Sequence, residues 1–173
     1  MSFLLAIGRA LPEARRFRPV RDPKEVRRNA LILPYGCVEG MDPGSPIWEK
    51  LAAPVRGHGD IYGLMLPWGV VPEETFRKHI AFLAYPHEVS DRAAARDAAD
   101  KIRAWMETKG RTYHSIAFVA YGPLIDVWSH GVRGTMAAEA VSLVKVPQRM
   151  DGLLQASVSR KICSIFGLNG KDQ

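Results

Sequence analysis

Five side chains with chemical potential fall in one short stretch. In NALILPYGCVEGMDPGSPIW, residues 29–48, an apolar run stops at Leu33 and a loop follows that carries Tyr35, Cys37, Glu39, Asp42 and Ser45. Asp42 could act as a general base or orient a water beside a sugar or base; the bland use of Asp-Pro-Gly is an Asx-type turn. Cys37 could be a nucleophile if the loop is electropositive, although a lone Cys after an apolar run is more often a small buried residue. Ser45 lacks a GxSxG setting and reads as a helix cap.

Further along the chain, Glu73 could share acid–base work with Glu39, and His87 in Tyr-Pro-His-Glu is the best placed of five scattered histidines. Those histidines have no HxH or HxxxH spacing, so no metal site is predicted. Tyr35, Trp68 and Tyr121 each follow an apolar run, and aromatic faces there could stack on a nucleobase; singly, each reads more simply as core. The absence of a P-loop and of a GxGxxG after a strand argues against a nucleotide triphosphatase and a Rossmann dehydrogenase, and no cofactor is expected.

The elements that must position these residues alternate. Ala30–Leu33, Ile61–Leu66, Ser115–Tyr121 and Val141–Val146 read as strands. Helices are predicted after Ser45, from Pro72 through Phe76, Ile80 and Leu83, over 91–109 with the stripe Ala94, Ala98, Ile102, Trp105 and Met106, in parts of 124–140, and from Pro147 with Met150, Leu154, Val158, Ile162 and Ile165. The alternation predicts a three-layer α/β domain with a mostly parallel sheet of about four strands flanked by helices. The loops after three of those strands, PYGCVEGMDPGS, PWGVVPEE and YGPLIDVWSH, should then gather at one edge.

Composition bounds the rest. The chain has 173 residues, 47% hydrophobic and 24% charged, as expected of one globular domain. No apolar run approaches the ~18 residues of a membrane span. Two distant cysteines fit a reducing cytoplasm rather than a disulfide scaffold. The net charge of +6 is concentrated in residues 15–28, RRFRPVRDPKEVRR, with seven basic and two acidic residues; the remainder holds 17 and 16. Residues 1–28 therefore read as a short helix and an Arg-rich arm, and 29–173 as the domain with its C-terminal helix. Arg15, Arg16, Arg18, Arg21, Arg27 and Arg28 are the phosphate-binding candidates, because the guanidinium fork matches phosphate oxygens. The competing reading is a solvated basic linker.

GSPIWEKL (44–51), IYGLMLPWGVVPEE (61–74), AYPHEVSD (84–91), the helix 92–109 and SIAFVAYG (115–122) together resemble the central domain of archaeosine synthase and related phage and bacterial domains, over roughly residues 30–128. The resemblance implies an association with modified nucleobases, particularly deazaguanines. The first loop here reads Pro34-Tyr35-Gly36-Cys37 where that family has a Cys-Ser and Lys-Pro-Tyr pattern, so the synthase's amino-acid-adding activity is not carried over. A weaker likeness joins GMDPG (40–44) to the first motif of uracil-DNA glycosylase-like folds, which implies a loop facing a flipped base. The expectation is thus a nucleobase- or nucleic-acid-recognising domain, RNA or DNA, with base modification or processing as its chemistry. The alternative is a non-catalytic accessory protein that binds nucleic acid or protein.

Overall fold

The computed structural model of the chain describes residues 27–35, 45–65, 68–75, 92–147 and 149–168, with backbone alone at 27 and 28. The expected N-terminal helix, most of the Arg-rich arm and the helix beyond Thr75 lie outside these residues.

The centre is strand β1, Arg27–Leu33. Its apolar residues Ala30 to Leu33 are fully buried, which is why they form a continuous run rather than an alternating one: a parallel strand covered on both faces has no polar side. Strand β2, Asp60–Met65, pairs with it in parallel on one flank, and strand β4, Tyr113–Ala120, on the other. Strand β5, Val141–Lys145, adds in parallel outside β4. Strand β3, Gly69–Pro72, closes the other edge, giving the order β3-β2-β1-β4-β5. The protein is α/β with a five-stranded, mostly parallel sheet. The extra strand is GVVP, which reads locally as a turn; it runs antiparallel to β2, with Met65 opposite Gly69 and Tyr62 opposite Pro72.

Helix α1, Pro46–Ala52, carries the chain from β1 to β2. Ser45 caps it, its hydroxyl accepting from the Ile47 amide at 3.2 Å, and Pro46 occupies the first turn, where a missing N–H costs nothing. Trp48, Leu51 and Ala52 form its buried face. Helix α2, Arg92–Glu107, buries the predicted residues Ala98, Ile102, Trp105 and Met106, and Asp97 and Lys101 pair at 3.3 Å on its outer surface. Helix α3 is Gly122–Val132. Helix α4, Gly152–Ile165, starts later than the apolar stripe suggests, because Asp151 supplies the cap: its carboxylate accepts from the Leu154 amide at 2.8 Å.

Parallel crossovers are right-handed. The step from β1 to β2 and the step from β4 to β5 go opposite ways, so α1 and α3 lie on opposite faces. Packing agrees: α1 rests against α4, and α2 against α3.

Two glycines permit close approach. A Cβ on Gly59 would sit 2.4 Å from the Asn29 carbonyl oxygen, at the start of the β1–β2 pairing. A Cβ on Gly131 would sit 2.7 Å from Ile102 Cγ2, 2.8 Å from its Cβ and 3.0 Å from the Ala99 carbonyl oxygen, so this position sets how near α3 comes to α2. In an open helix Gly→Ala gains about 1 kcal/mol. Here overpacking should dominate, and Gly131→Ala should lower the unfolding free energy by about 1–2 kcal/mol. Urea denaturation followed by tryptophan fluorescence measures this; a stabilised variant would show that the two helices separate freely.

Candidate functional site

The sheet has one topological switch point, between β1 and β4. From β1 the chain leaves toward β2; from β4 it leaves toward β5. The loops therefore part at the carboxyl ends of these two strands and open a crevice, which is where ligands bind in open α/β sheets. The register pairs Ile32 with Phe118, and Tyr35 and Tyr121 each stand three residues beyond that pair. They flank the crevice. Both are more than nine-tenths buried, so they shape its walls and their faces are largely covered. Ser45 is buried at the start of α1. Trp68 lies at the tip of the β2–β3 hairpin on the same edge, 51% exposed, and is the aromatic side chain whose surface is open.

Beside the crevice, α3 begins directly after β4. Tyr121 is its N-cap residue and makes no side-chain capping bond. Between α2 and α3 runs a groove of about 660 Å³. Its floor is Ala95, Ala99 and Val127; Arg92 and Arg96 stand along one rim, and Asp126 and His130 along the other. The sequence places Asp126 and His130 in YGPLIDVWSH, one of the segments expected at this edge, whereas Arg92 and Arg96 fall within the predicted helix 91–109 and are not singled out. The spacing of Arg92 and Arg96, one turn apart on one face, was the available signal.

The opposite edge is differently built. Because β3 is antiparallel, it returns the chain by about 13 Å to the amino end of β2. Glu73 therefore does not share the edge occupied by Trp68, Tyr35 and Tyr121. It binds Arg56 in a two-pronged pair, both oxygens at 2.6 Å, and Arg56 also reaches Glu49 at 3.2 Å. The hydrogen bond that Arg56 donates to Glu73 is the main cause that raises the Arg56 pKa, opposed by partial burial and helped by Glu49. The charge on Arg56 thus persists across the whole accessible pH range, and the network is anchored there.

Behind it sits a chain of hydroxyls. Tyr113 donates to Asp60 Oδ2 at 2.6 Å, and the Tyr62 and Tyr113 hydroxyls are hydrogen-bonded to each other. A phenol has one proton, so Tyr62 is the donor to Tyr113. Trp105 stacks on Tyr113 at 6.0 Å and meets Tyr62 edge-on at 5.1 Å. A small polar cavity of about 360 Å³, lined by Asp60, Glu74 and Lys109 among others, adjoins this group.

Cys37, Glu39, Asp42 and His87 lie outside the described residues, as do Arg15, Arg16, Arg18 and Arg21. Arg27 and Arg28 are the first two residues of β1. They stand at the amino edge, about 20 Å along the strand from the switch point. Cys163 is a buried thiol on α4, in no disulfide among the described residues. Among the described residues, no group of His, Cys, Asp and Glu gathers to hold a metal ion, and no helix is long and apolar enough to cross a membrane.

Compared with family models, curated proteins and solved structures, the chain matches none of them.

The hydroxyl chain gives an asymmetric expectation. Tyr113→Phe removes both the Tyr62–Tyr113 and the Tyr113–Asp60 hydrogen bonds and should cost about 1–3 kcal/mol. Tyr62→Phe leaves the Tyr113–Asp60 bond intact and should cost less, about 1 kcal/mol or under. Thermal or urea unfolding of the two variants tests the inferred direction of donation; equal losses would contradict it.

Proposed function

We propose that the protein recognises a nucleobase-bearing ligand at the carboxyl edge of its sheet, and that this ligand is a nucleic acid. The observation that carries the reading is the switch point between β1 and β4, walled by Tyr35 and Tyr121, with the exposed Trp68 on the same edge. Stacking of a base on the exposed Trp68 would contribute about 1–3 kcal/mol. The resemblance to the archaeosine synthase central domain adds deazaguanine chemistry as the class of base, with Glu39, Asp42, Cys37 and His87 as the residues for base modification.

Supporting a polymer over a free base is the distance to the basic arm. Arg27 and Arg28 open β1 at the far edge. A ligand that engages both that end and Trp68 must span about 20 Å, which a single-stranded nucleic acid does and an isolated base does not. The compartment proposed is the cytoplasm, in keeping with two cysteines far apart in the sequence and no CxxC pair.

Fluorescence anisotropy with labelled single-stranded RNA and DNA across a salt series tests the reading. Binding should weaken steeply with salt, with a logarithmic slope that falls by about 1.4 when Arg27 and Arg28 are both replaced by Gln. Trp68→Ala should weaken binding about ten-fold at fixed salt. No binding at low salt would remove the proposal. Binding that survives joint replacement of Cys37, Glu39 and Asp42, with every activity assay negative, would leave the accessory-protein reading.

A further inference from the structure

We infer that the groove between α2 and α3 is the seat of a small phosphate-bearing ligand, with the phosphate held by Arg92 and Arg96 and an apolar or aromatic body lying along the floor. The inference rests on the carboxyl edge being the ligand-binding edge, and not on that ligand being a nucleic acid.

Charge carries the argument. Arg92 and Arg96 project from one face of α2, one turn apart, and line the same groove. Neither forms an ion pair among the described residues, whereas Arg56 at the opposite edge is held by two carboxylates. Two like charges at this spacing repel one another, and an anion between them removes the repulsion. Each guanidinium presents a planar fork that matches two phosphate oxygens. A phosphate monoester, with three terminal oxygens and close to two negative charges, suits such a pair.

The second contribution comes from α3. Pro123 lines the groove in the helix's first turn, and the Gly122 and Leu124 amides there have no acceptor within the helix. The positive end of the helix dipole thus faces the same mouth as the guanidiniums.

The third is shape. Gly131 lets the helices touch at Ile102 and Ala99, and toward Arg92 and Pro123 they enclose the groove. Its volume lies within the ~300–1,000 Å³ range of small-molecule sites. Ala95, Ala99 and Val127 offer a smooth surface for a flat ring. Asp126 on the far rim can accept from a hydroxyl or an exocyclic amine. A nucleoside monophosphate has each of these features.

Isothermal titration of the full chain with nucleoside monophosphates, the matching nucleosides and inorganic phosphate is the experiment. At least one monophosphate should bind, and should do so about ten-fold or more tightly than its nucleoside and than inorganic phosphate. Replacing both arginines, Arg92→Gln with Arg96→Gln, should weaken binding by about ten-fold or more. Lys161→Gln, on the opposite face of the sheet, should leave it unchanged. Arginine-directed labelling of the unmutated chain with phenylglyoxal, read by mass spectrometry, should be suppressed at Arg92 and Arg96 by the monophosphate; this readout holds even if the double variant fails to fold. No binding of any monophosphate up to ~10 mM, equal affinity for inorganic phosphate, or unaltered labelling would each overturn the inference. Oligonucleotide binding without monophosphate binding overturns the groove alone. Monophosphate binding without oligonucleotide binding supports the groove and removes the nucleic-acid reading.

Discussion

The burial of β1 between two parallel partners is the constraint on which the structure depends. A strand whose residues 30–33 are wholly removed from water needs neighbours on both edges and layers on both faces. Its two parallel neighbours cannot both be reached by the same kind of step, so the chain winds one way for β2 and back for β4. The crevice between their carboxyl ends follows from that reversal. So does the assignment of α1 with α4 to one face and of α2 with α3 to the other.

The two edges of the sheet handle polar groups in different ways. At the amino edge they satisfy one another: Arg56 joins Glu49 and Glu73, and Tyr62, Tyr113 and Asp60 form a directed chain under Trp105. Such an arrangement fixes geometry, and a buried polar network is stable only when its members are satisfied. At the carboxyl edge Arg92 and Arg96 line the groove without an ion pair among the described residues.

Much of this was legible in the sequence where one physical signal dominated. Ala30–Leu33 and the stripe Ala98, Ile102, Trp105 and Met106 announce a buried strand and an amphipathic helix because burial sets the pattern directly. The Ser45–Pro46 helix start is local and equally clear. GVVP was not: four residues with a Pro at the end look like a turn, and only pairing with β2, a tertiary fact, makes them a strand. That one strand moves Glu73 from the expected edge to its opposite, because an antiparallel return is invisible to a count of alternating elements. Asp151 displaced the start of α4 in the same way, a cap overriding a hydrophobic stripe. The groove escaped notice for a different reason: Arg92 and Arg96 are ordinary helix-surface residues until α3 is packed beside them. Tyr35 and Tyr121 were placed at the right ends of their strands, and what the sequence could not convey was how completely their rings are covered.

The pairing of Arg27 with Tyr113 joins positions roughly 85 residues apart, and contacts of that reach form late. During synthesis β1 emerges well before β4, so one flank of its apolar run waits unpaired while about 80 further residues are made. A short, β-prone, uncharged run in that condition invites association with other chains. Arg27 and Arg28 stand immediately before it, where like charges on neighbouring nascent chains hold them apart. The last two residues of the arginine-rich approach to β1 thus act as gatekeepers for the chain while it is still being made.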